Sequence, residues 1–179
     1  MPLDGAMLSQ VKQEIETAVG ARVDRITQPG REELIVALRG RQGAYRLLIS
    51  VNAASPRVHF TRAAVENPKT PPMFCMLMRK LLGSAQLTEV RQAGLDRILG
   101  LDFDTIDELG DHVTLTLCVE IMGRHSNLII RRPDGKIVDS IKRIDTSMSS
   151  VRPILPGLTY TLPPAPAEKL NLLEVSADA

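Results

Sequence analysis

The sequence predicts an α+β domain in which antiparallel strands outnumber helices. Short stretches that alternate apolar and polar residues recur along the chain in two groups. Pro29-Gly30 and Pro133-Asp134-Gly135 mark turns between such stretches, as in antiparallel hairpins. Two other stretches carry apolar residues at helical spacing. We therefore expect an antiparallel β-sandwich or a pair of β-meanders, flanked by helices.

The first helix is predicted near residues 6–19, capped by Asp4 and ended by Gly20. Its apolar stripe consists of Met7, Leu8, Val11, Ile15 and Val19. Strands are predicted at 21–28, 32–39, 44–51 and 57–61. Together these strands form the first meander.

The second helix is predicted near residues 72–82, with a proline in its first turn and Gly83 at its end. Its predicted core stripe, with one lysine at the rim, is Met73, Met76, Leu77, Lys80 and Leu81. The second group of strands is predicted at 87–93, 96–103, 113–121, 127–132 and 137–144.

A proline-rich stretch after residue 152 predicts a stiff linker. Residues 168–175 are typical of the first turn of a helix that is cut short. The predicted organisation is one domain over residues 1–164, followed at 165–179 by a linker and the start of a helical domain. We expect this chain to be the N-terminal module of a longer protein.

Composition favours a globular protein of the cytoplasm. Residues of apolar type make up 44% of the chain, which is enough for a sizeable core. Cys75 and Cys118 lie in apolar surroundings without metal-ligand spacing, so both are predicted to be buried free thiols. The sequence shows neither a signal peptide nor an apolar run long enough for a membrane span.

Charge is distributed unevenly, although the net charge is only +1. Residues 98–120 contain six acids and no lysine or arginine, and we expect a solvated loop here because the calcium-loop spacing is missing. Residues 121–152 contain seven basic residues against three acids, a pattern that suits an anion-binding face or a solvated one. The basic residues are Arg124, Arg131, Arg132, Lys136, Lys142, Arg143 and Arg152. No metal or cofactor is expected.

Two polar segments stand at predicted strand ends. Between two apolar runs lies Gly123-Arg124-His125-Ser126-Asn127, which is either a displayed binding loop or a bend whose side chains satisfy their own backbone. Asp96-Arg97 starts another predicted strand, and it is either an RNA-recognition pair or a structural ion pair. The three histidines are far apart and no nucleophile motif is present, so the chain is not expected to be an enzyme.

Several motifs in fixed order resemble the NFACT-N domain of the NFACT family, along essentially the whole chain. The principal ones are N-P-x-x-P-P-M-F-C-M-L-x-R-K at 67–80, G-L-D-R-I at 94–98 and V-E-I-M-G-R-H-S-N at 119–127. D-S-I-K at 139–142 and L-P-G-x-x-Y at 155–160 extend the resemblance. It is strongest to the bacterial members, long described as fibronectin-binding proteins.

The resemblance implies a part in ribosome-associated quality control. Family members bind a large ribosomal subunit that still holds peptidyl-tRNA, and they recruit alanyl-tRNA for C-terminal alanine tailing of the stalled chain. The residues that the family uses for tRNA recognition match Asp96, Arg97, Glu120, Ile121 and Met122 here. Arg124, His125, Ser126 and Asn127 are either RNA contacts or structural residues.

Two rival functions remain open. The NFACT-N fold is similar to the N-terminal domain of formamidopyrimidine-DNA glycosylases, whose N-terminal proline acts as a nucleophile. This chain has Pro2, but Leu3 stands where those enzymes have glutamate, and no zinc finger follows. We therefore do not expect DNA as a partner. The other rival is an adhesin that binds fibronectin, for which a signal peptide would be expected.

Overall fold

A computed structural model describes residues 5–93, 97–149 and 151–163 of the chain. In these ranges it contains two helices, α1 (Gly5–Glu16) and α2 (Met73–Leu82). The strands are β1 (Arg22–Gly30), β2 (Glu33–Gly40), β3 (Gly43–Ser50), β4 (Arg57–Phe60), β5 (Gln86–Ala93), β6 (Ile98–Ile106), β7 (His112–Glu120), β8 (Asn127–Arg131) and β9 (Ile137–Ser140). All paired strands are antiparallel. The predicted α+β, mostly antiparallel architecture is confirmed.

The strands form one sheet in the order β4-β3-β2-β1-β5-β6-β7-β8-β9. The two predicted meanders, β1–β4 and β5–β9, meet along a short edge, where Arg22 pairs with Gln86 and the Val23 N–H donates to the Ala85 carbonyl over 2.8 Å. Just after β9, Lys142 Nζ donates a hydrogen bond to the Val51 carbonyl, just after β3, over 2.7 Å. In a flat sheet these strands would stand about 34 Å apart. The sheet therefore folds back on itself, and buried residues of both meanders share one core.

A β-bulge in β1 decides which side chains enter that core. Val23 pairs with Leu38 and Ile26 pairs with Val36, so one extra residue lies between the two pairs. The bulge allows Val23 and Ile26, three positions apart, to be buried on the same face. Arg25 is exposed and pairs with Ala37, on the opposite face of the sheet.

The bounds of α2 agree with the prediction, and Leu77 and Leu81 of its predicted core stripe pack against the core, but the stripe is wrong at its two methionines. Met73 is 86% exposed and Met76 is 55% exposed. The residues buried on α2 are Phe74, Cys75, Met78 and Leu82. Contacts with β1 fix this orientation, because Cys75 Sγ and Arg79 Nε both donate to the Ile26 carbonyl, over 3.6 and 2.8 Å.

The stripe of α1 is confirmed only at its centre. Leu8 and Ile15 are buried, whereas Met7 and Val19 are exposed. The helix ends at Glu16, and a turn leads to Gly20, whose φ of +100° suits glycine. The predicted cap, Asp4, lies outside the described residues.

The acidic stretch is a hairpin, and the expectation of a solvated loop holds only for its tip. Asp107, Glu108 and Asp111 are exposed there. Asp102 is buried in β6, where it accepts hydrogen bonds from Arg91 and from the Thr116 hydroxyl, at 2.8 and 2.7 Å. A buried carboxylate needs such partners because leaving it unpaired in the interior is costly.

The segment 151–163 covers the outer face of β7–β9, so its interpretation as a linker is wrong. Ile154 and Tyr160 pack against Cys118 and its neighbours Ile129 and Ile137, forming a second apolar cluster. Strand β9 ends at Ser140, four residues before its predicted end, and the chain then turns toward this segment. The predicted linker and helix start at 165–179 lie outside the described residues. Neither described helix is long and apolar enough to cross a membrane.

Candidate nucleic-acid interface

The start of β6, the end of β7 and the start of β8 meet at one edge of the fold. Ile98 pairs with Glu120, and Glu120 pairs with Asn127. This register brings Arg97, just before β6, beside Ile121, just after β7. We call the described residues Arg97 and Glu120–Asn127 the strand junction.

Reciprocal hydrogen bonds fix Arg97 to the strand junction. The Ile121 N–H donates to the Arg97 carbonyl, and Arg97 Nε donates to the Ile121 carbonyl, both over 3.0 Å. The second bond orients the guanidinium, whose two terminal nitrogens make no hydrogen bond with the described residues. Arg97 is half-buried. Its predicted partner Asp96 lies outside the described residues.

Glu120 does not reach the surface. Its carboxylate is 0% exposed and accepts hydrogen bonds from both terminal nitrogens of Arg152, at 2.9 and 2.5 Å. The Tyr160 hydroxyl donates a third bond over 2.6 Å. We expected Glu120 to contact RNA directly. In this conformation its carboxylate is buried, so Glu120 could influence bound RNA only by positioning Arg152. The reason is local, because Glu120 points to the face that segment 151–163 covers.

The remaining junction residues divide into buried and exposed ones. Ile121 is 1% exposed and belongs to the main core, while Met122 is half-buried. Gly123, Arg124 and His125 form a 3-10 turn, and the φ of Gly123 is +58°. Both Arg124 and His125 are exposed, with Arg124 Nε 3.4 Å from His125 Nε2.

Ser126 and Asn127 are buried and brace the backbone. Ser126 Oγ accepts a hydrogen bond from the Met122 N–H over 2.8 Å, which closes the 3-10 turn. Asn127 bonds both main-chain groups of Lys142, donating over 2.9 Å and accepting over 3.1 Å. These bonds tie the start of β8 to the chain after β9.

Sequence reasoning missed the residues that hold Glu120. The Tyr160 ring contacts two guanidinium groups, with Arg152 and Arg131 carbons 5.3 and 5.9 Å from its centre. Burial raises the pKa of Tyr160, and the neighbouring Cys118 and Glu120 add to this. Burial acts to lower the pKa of Arg152, but the hydrogen bonds that Arg152 donates to Glu120, and the negative charge of that carboxylate, raise the pKa of Arg152 above its usual value. The sequence did contain one signal that could have drawn attention to Tyr160, because the chain has only two tyrosines.

The predicted cationic face is smaller than the sequence suggested. Arg152 and Lys142 are used internally, and Arg143 forms an ion pair with Asp139 at 3.0 Å. Arg143 is exposed as well as paired, and the other exposed basic side chains of this stretch are Arg124, Arg132 and Lys136. Among the described residues, no group of three or more His, Cys, Asp or Glu side chains is placed to hold a metal ion.

Comparison with known proteins identifies the family. A sequence model described as the NFACT N-terminal and middle domains matches residues 4–179. The chain belongs to the NFACT_N family. It is 41% identical over 180 residues to the Rqc2 homolog RqcH of Bacillus subtilis, covering 99% of this chain and 31% of that protein. It is 28% identical over 166 residues to the archaeal Rqc2 homolog aRqcH of Methanocaldococcus jannaschii, covering 90% and 23%.

Two solved structures show the same fold as this chain. The N-terminal domain of the fibronectin-binding protein PavA from Streptococcus pneumoniae matches with a TM-score of 0.86 at 35% identity, covering 97% of this chain and 68% of that one. The N-terminal part of the fibronectin/fibrinogen-binding protein FBPS from Streptococcus suis also matches with a TM-score of 0.86, at 37% identity, covering 96% and 68%. This chain spans about a third of the length of the curated relatives. The similarity to the glycosylase domain stays a prediction.

Proposed function

We propose that this chain is the tRNA-binding module of a ribosome-associated quality-control factor. The proposal rests on the orientation of the Arg97 guanidinium. The hydrogen bond from Arg97 Nε to the Ile121 carbonyl holds this group in place at the strand junction. A planar guanidinium whose two terminal nitrogens make no hydrogen bond within the described part of the chain suits the paired oxygens of a phosphate or the edge of a base. Support comes from relatives that carry the names RqcH and NEMF homolog.

The junction residues then have separate roles. Arg97 contacts phosphate or a base, and Asp96 orients that guanidinium or accepts from a base edge. The half-buried Met122 packs its thioether against a nucleoside face. Arg124 and His125 are exposed beside it and lie where they can contact phosphates. Glu120 and Ile121 act indirectly, without touching the RNA. Glu120 holds Arg152 in place, and Ile121 anchors the backbone of the strand junction in the core.

The whole factor would bind large ribosomal subunits that are obstructed by peptidyl-tRNA, and would do so in the cytoplasm. This module would recruit alanyl-tRNA, so that the stalled chain receives a C-terminal alanine tail. In this proposal the module needs no cofactor and catalyses no reaction. Its contribution is to position tRNA.

The test removes the pair Asp96 and Arg97 together, as Asp96→Ala with Arg97→Ala. The matched control is Lys12→Ala with Glu16→Ala, an exposed ion pair of 2.8 Å on α1 whose removal also leaves net charge unchanged. Fluorescence anisotropy with labelled tRNA measures binding by the 179-residue chain. A tailing assay with stalled chains measures function in a full-length protein that carries this chain.

We expect the Asp96/Arg97 variant to fold, to lose tRNA binding and tailing, and to keep its binding to large subunits. The Lys12/Glu16 control should behave as the unmodified chain. A variant that unfolds shows that the pair is structural. A variant that folds and still tails stalled chains places the tRNA site elsewhere.

Two assays address the rival functions. Borohydride traps the imine that a proline amine forms with an abasic DNA duplex, and we expect no trapped complex. A covalent band that disappears in Pro2→Gly would favour a glycosylase. The structural relatives are described as fibronectin-binding, so immobilised fibronectin is the second probe. Saturable binding there, without tRNA binding, would favour an adhesin.

A further inference from the structure

A cavity of about 130 Å³ lies on the outer face of β1–β3, apart from the strand junction. Arg25, Ala37 and Arg46 stand in register across the three strands and line it. The two arginines are thus two strand spacings apart, about 10 Å between their Cα atoms. Ala37 between them has only a methyl side chain, which leaves the space open. The remaining lining residues are Thr27, Ile35, Val65 and Asn67.

The cavity is rich in hydrogen-bond donors and has no acidic side chain among its described lining residues. Arg25 makes no hydrogen bond or ion pair with the described part of the chain. Arg46 Nη1 donates to the Ala63 carbonyl over 2.6 Å, which holds the segment that carries Val65 and Asn67 as a wall. Glu66 lies in that segment but does not line the cavity. The positive charge inside the cavity is therefore not neutralised by its walls.

The bulge in β1 is what creates this arrangement. Without the extra residue, Arg25 would stand opposite Val36 and would point toward the core. Bulges commonly re-aim a side chain at a functional position. Here the bulge aligns Arg25 with Arg46 while Val23 and Ile26 stay buried.

We propose that this cavity binds one phosphate group between Arg25 and Arg46. Its volume equals that of about four water molecules, which is enough for a tetrahedral phosphate. Guanidinium groups on two sides can each offer paired donors to its oxygens. Thr27 and Asn67 add neutral donors at the wall. The phosphate belongs either to an RNA backbone or to a small phosphorylated ligand.

The RNA source rests on the function proposed above. The backbone of Arg46 lies about 17 Å along β3 from Val51. The Val51 carbonyl is bonded by Lys142, whose main chain is bonded by Asn127 of the strand junction. One polynucleotide can therefore reach both the junction and the cavity.

Three variants test the cavity. Arg25→Gln removes one guanidinium, and Ala37→Leu fills the space while keeping both charges. The control Arg39→Gln removes an arginine of the same hairpin whose side chain is 70% exposed and which does not line the cavity. Thermal unfolding establishes that each variant is folded.

Two ligands distinguish the sources of the phosphate. Inorganic phosphate is titrated at constant ionic strength, and the arginine Nε–H signals are followed by NMR. Labelled tRNA is titrated by anisotropy at several salt concentrations. We expect Arg25→Gln and Ala37→Leu to weaken phosphate binding by roughly tenfold or more, and Arg39→Gln to leave it unchanged. For an RNA phosphate, tRNA affinity falls in the same two variants, and Arg25→Gln lowers the salt slope by about one.

Each outcome decides a separate point. Weaker phosphate binding with unchanged tRNA binding assigns the cavity to a small phosphorylated ligand. A chain that binds no tRNA at all contradicts the proposed function, yet the phosphate titration still decides the cavity. The proposal is overturned if the folded Arg25→Gln and Ala37→Leu variants bind both ligands as the unmodified chain does. It is also overturned if Arg39→Gln weakens phosphate binding equally.

Discussion

The fully buried Glu120 carboxylate is held by both terminal nitrogens of the Arg152 guanidinium, at 2.9 and 2.5 Å. Arg152 is itself only 12% exposed, and its Nε donates to the Thr161 carbonyl over 2.9 Å. The pair therefore joins the end of β7 to segment 151–163. Because Glu120 immediately precedes Ile121 and Met122, the same pair also fixes the start of the strand junction.

Arg152→Ala should strongly destabilise the fold. The change leaves the Glu120 carboxylate buried without its cationic partner, and breaking such a pair from one side costs about 3–5 kcal/mol. Urea unfolding at neutral pH measures the free energy of unfolding.

The control for this prediction is Lys12→Ala, which removes an exposed pair on α1 and should cost no more than about 0.5 kcal/mol. Replacing both Glu120 and Arg152, as Glu120→Leu with Arg152→Met, should cost less than Arg152→Ala because no buried charge is left alone. Equal losses for Arg152→Ala and Lys12→Ala would show that the buried pair contributes nothing special.

The two faces of α2 should respond very differently to substitution. Met78 has 0% exposure, and Met78→Ala should cost about 2–5 kcal/mol through lost burial and a residual cavity. Met73 is 86% exposed on the same helix, and Met73→Ala should change the free energy of unfolding by less than about 0.5 kcal/mol. Chemical unfolding of both variants measures the contrast, and similar losses would mean that the helix is rotated relative to this structure.

The elements of this fold were predictable from sequence because each depends on local pattern. Period-two alternation located the strands, and the glycine of Pro-Asp-Gly marked a real turn, since Gly135 has a φ of +91°. The core face of α2 could not be predicted in the same way. Eight of its ten residues are apolar, all except Arg79 and Lys80, so apolar side chains point to every side of the helix. Contacts with the distant Ile26 carbonyl decide the orientation instead.

The position of the strand junction was predicted from sequence, but the burial of Glu120 was not. Glu120 and Asn127 are polar residues at strand ends, and nothing local distinguishes a buried polar side chain from a displayed one. Their partners, Arg152 and Lys142, lie 32 and 15 residues away. The proline-rich composition of segment 151–163 predicts stiffness, and the structure shows that a stiff segment can also pack against a sheet.

Stability should fall as the pH rises above 9. Burial raises the pKa of the Cys118 thiol from 9.0 to about 11, against the opposing effect of Arg131. The unfolded thiol therefore ionises first, so above pH 9 the unfolded state binds fewer protons than the folded state. The free energy of unfolding then falls between pH 9 and 11, by about 3 kcal/mol for this thiol. Tyr160, whose pKa burial also raises, adds a loss of the same sign above pH 10.

Unfolding in urea at several pH values measures this loss, and Cys118→Ala serves as its control. The alanine variant should show a shallower fall between pH 9 and 11, because the Cys118 contribution is removed while those of Tyr160 and Cys75, whose pKa values burial also raises, remain. Identical pH profiles for the two proteins would mean that the thiol ionises as readily folded as unfolded.

The geometry of Arg97 predicts that charge alone will not replace it. Arg97→Lys keeps the cation but loses the Nε bond to the Ile121 carbonyl and the planar pair of terminal donors. Losing that bond should cost about 1 kcal/mol of stability, so the variant should fold. Its affinity for tRNA should fall by roughly tenfold, because the charge-assisted paired contact is lost.

Salt dependence separates the loss of geometry from the loss of charge. Arg97→Lys should keep the slope of log affinity against log salt, whereas Arg97→Gln should lower that slope by about one. The control is Arg22→Lys, an exposed arginine whose Nη1 likewise donates to a carbonyl, that of Ser84, over 3.0 Å. Anisotropy with labelled tRNA measures all three variants. If Arg97→Lys binds tRNA as tightly as Arg22→Lys, the oriented guanidinium is not what recognises the RNA, because a simple cation then suffices at this position.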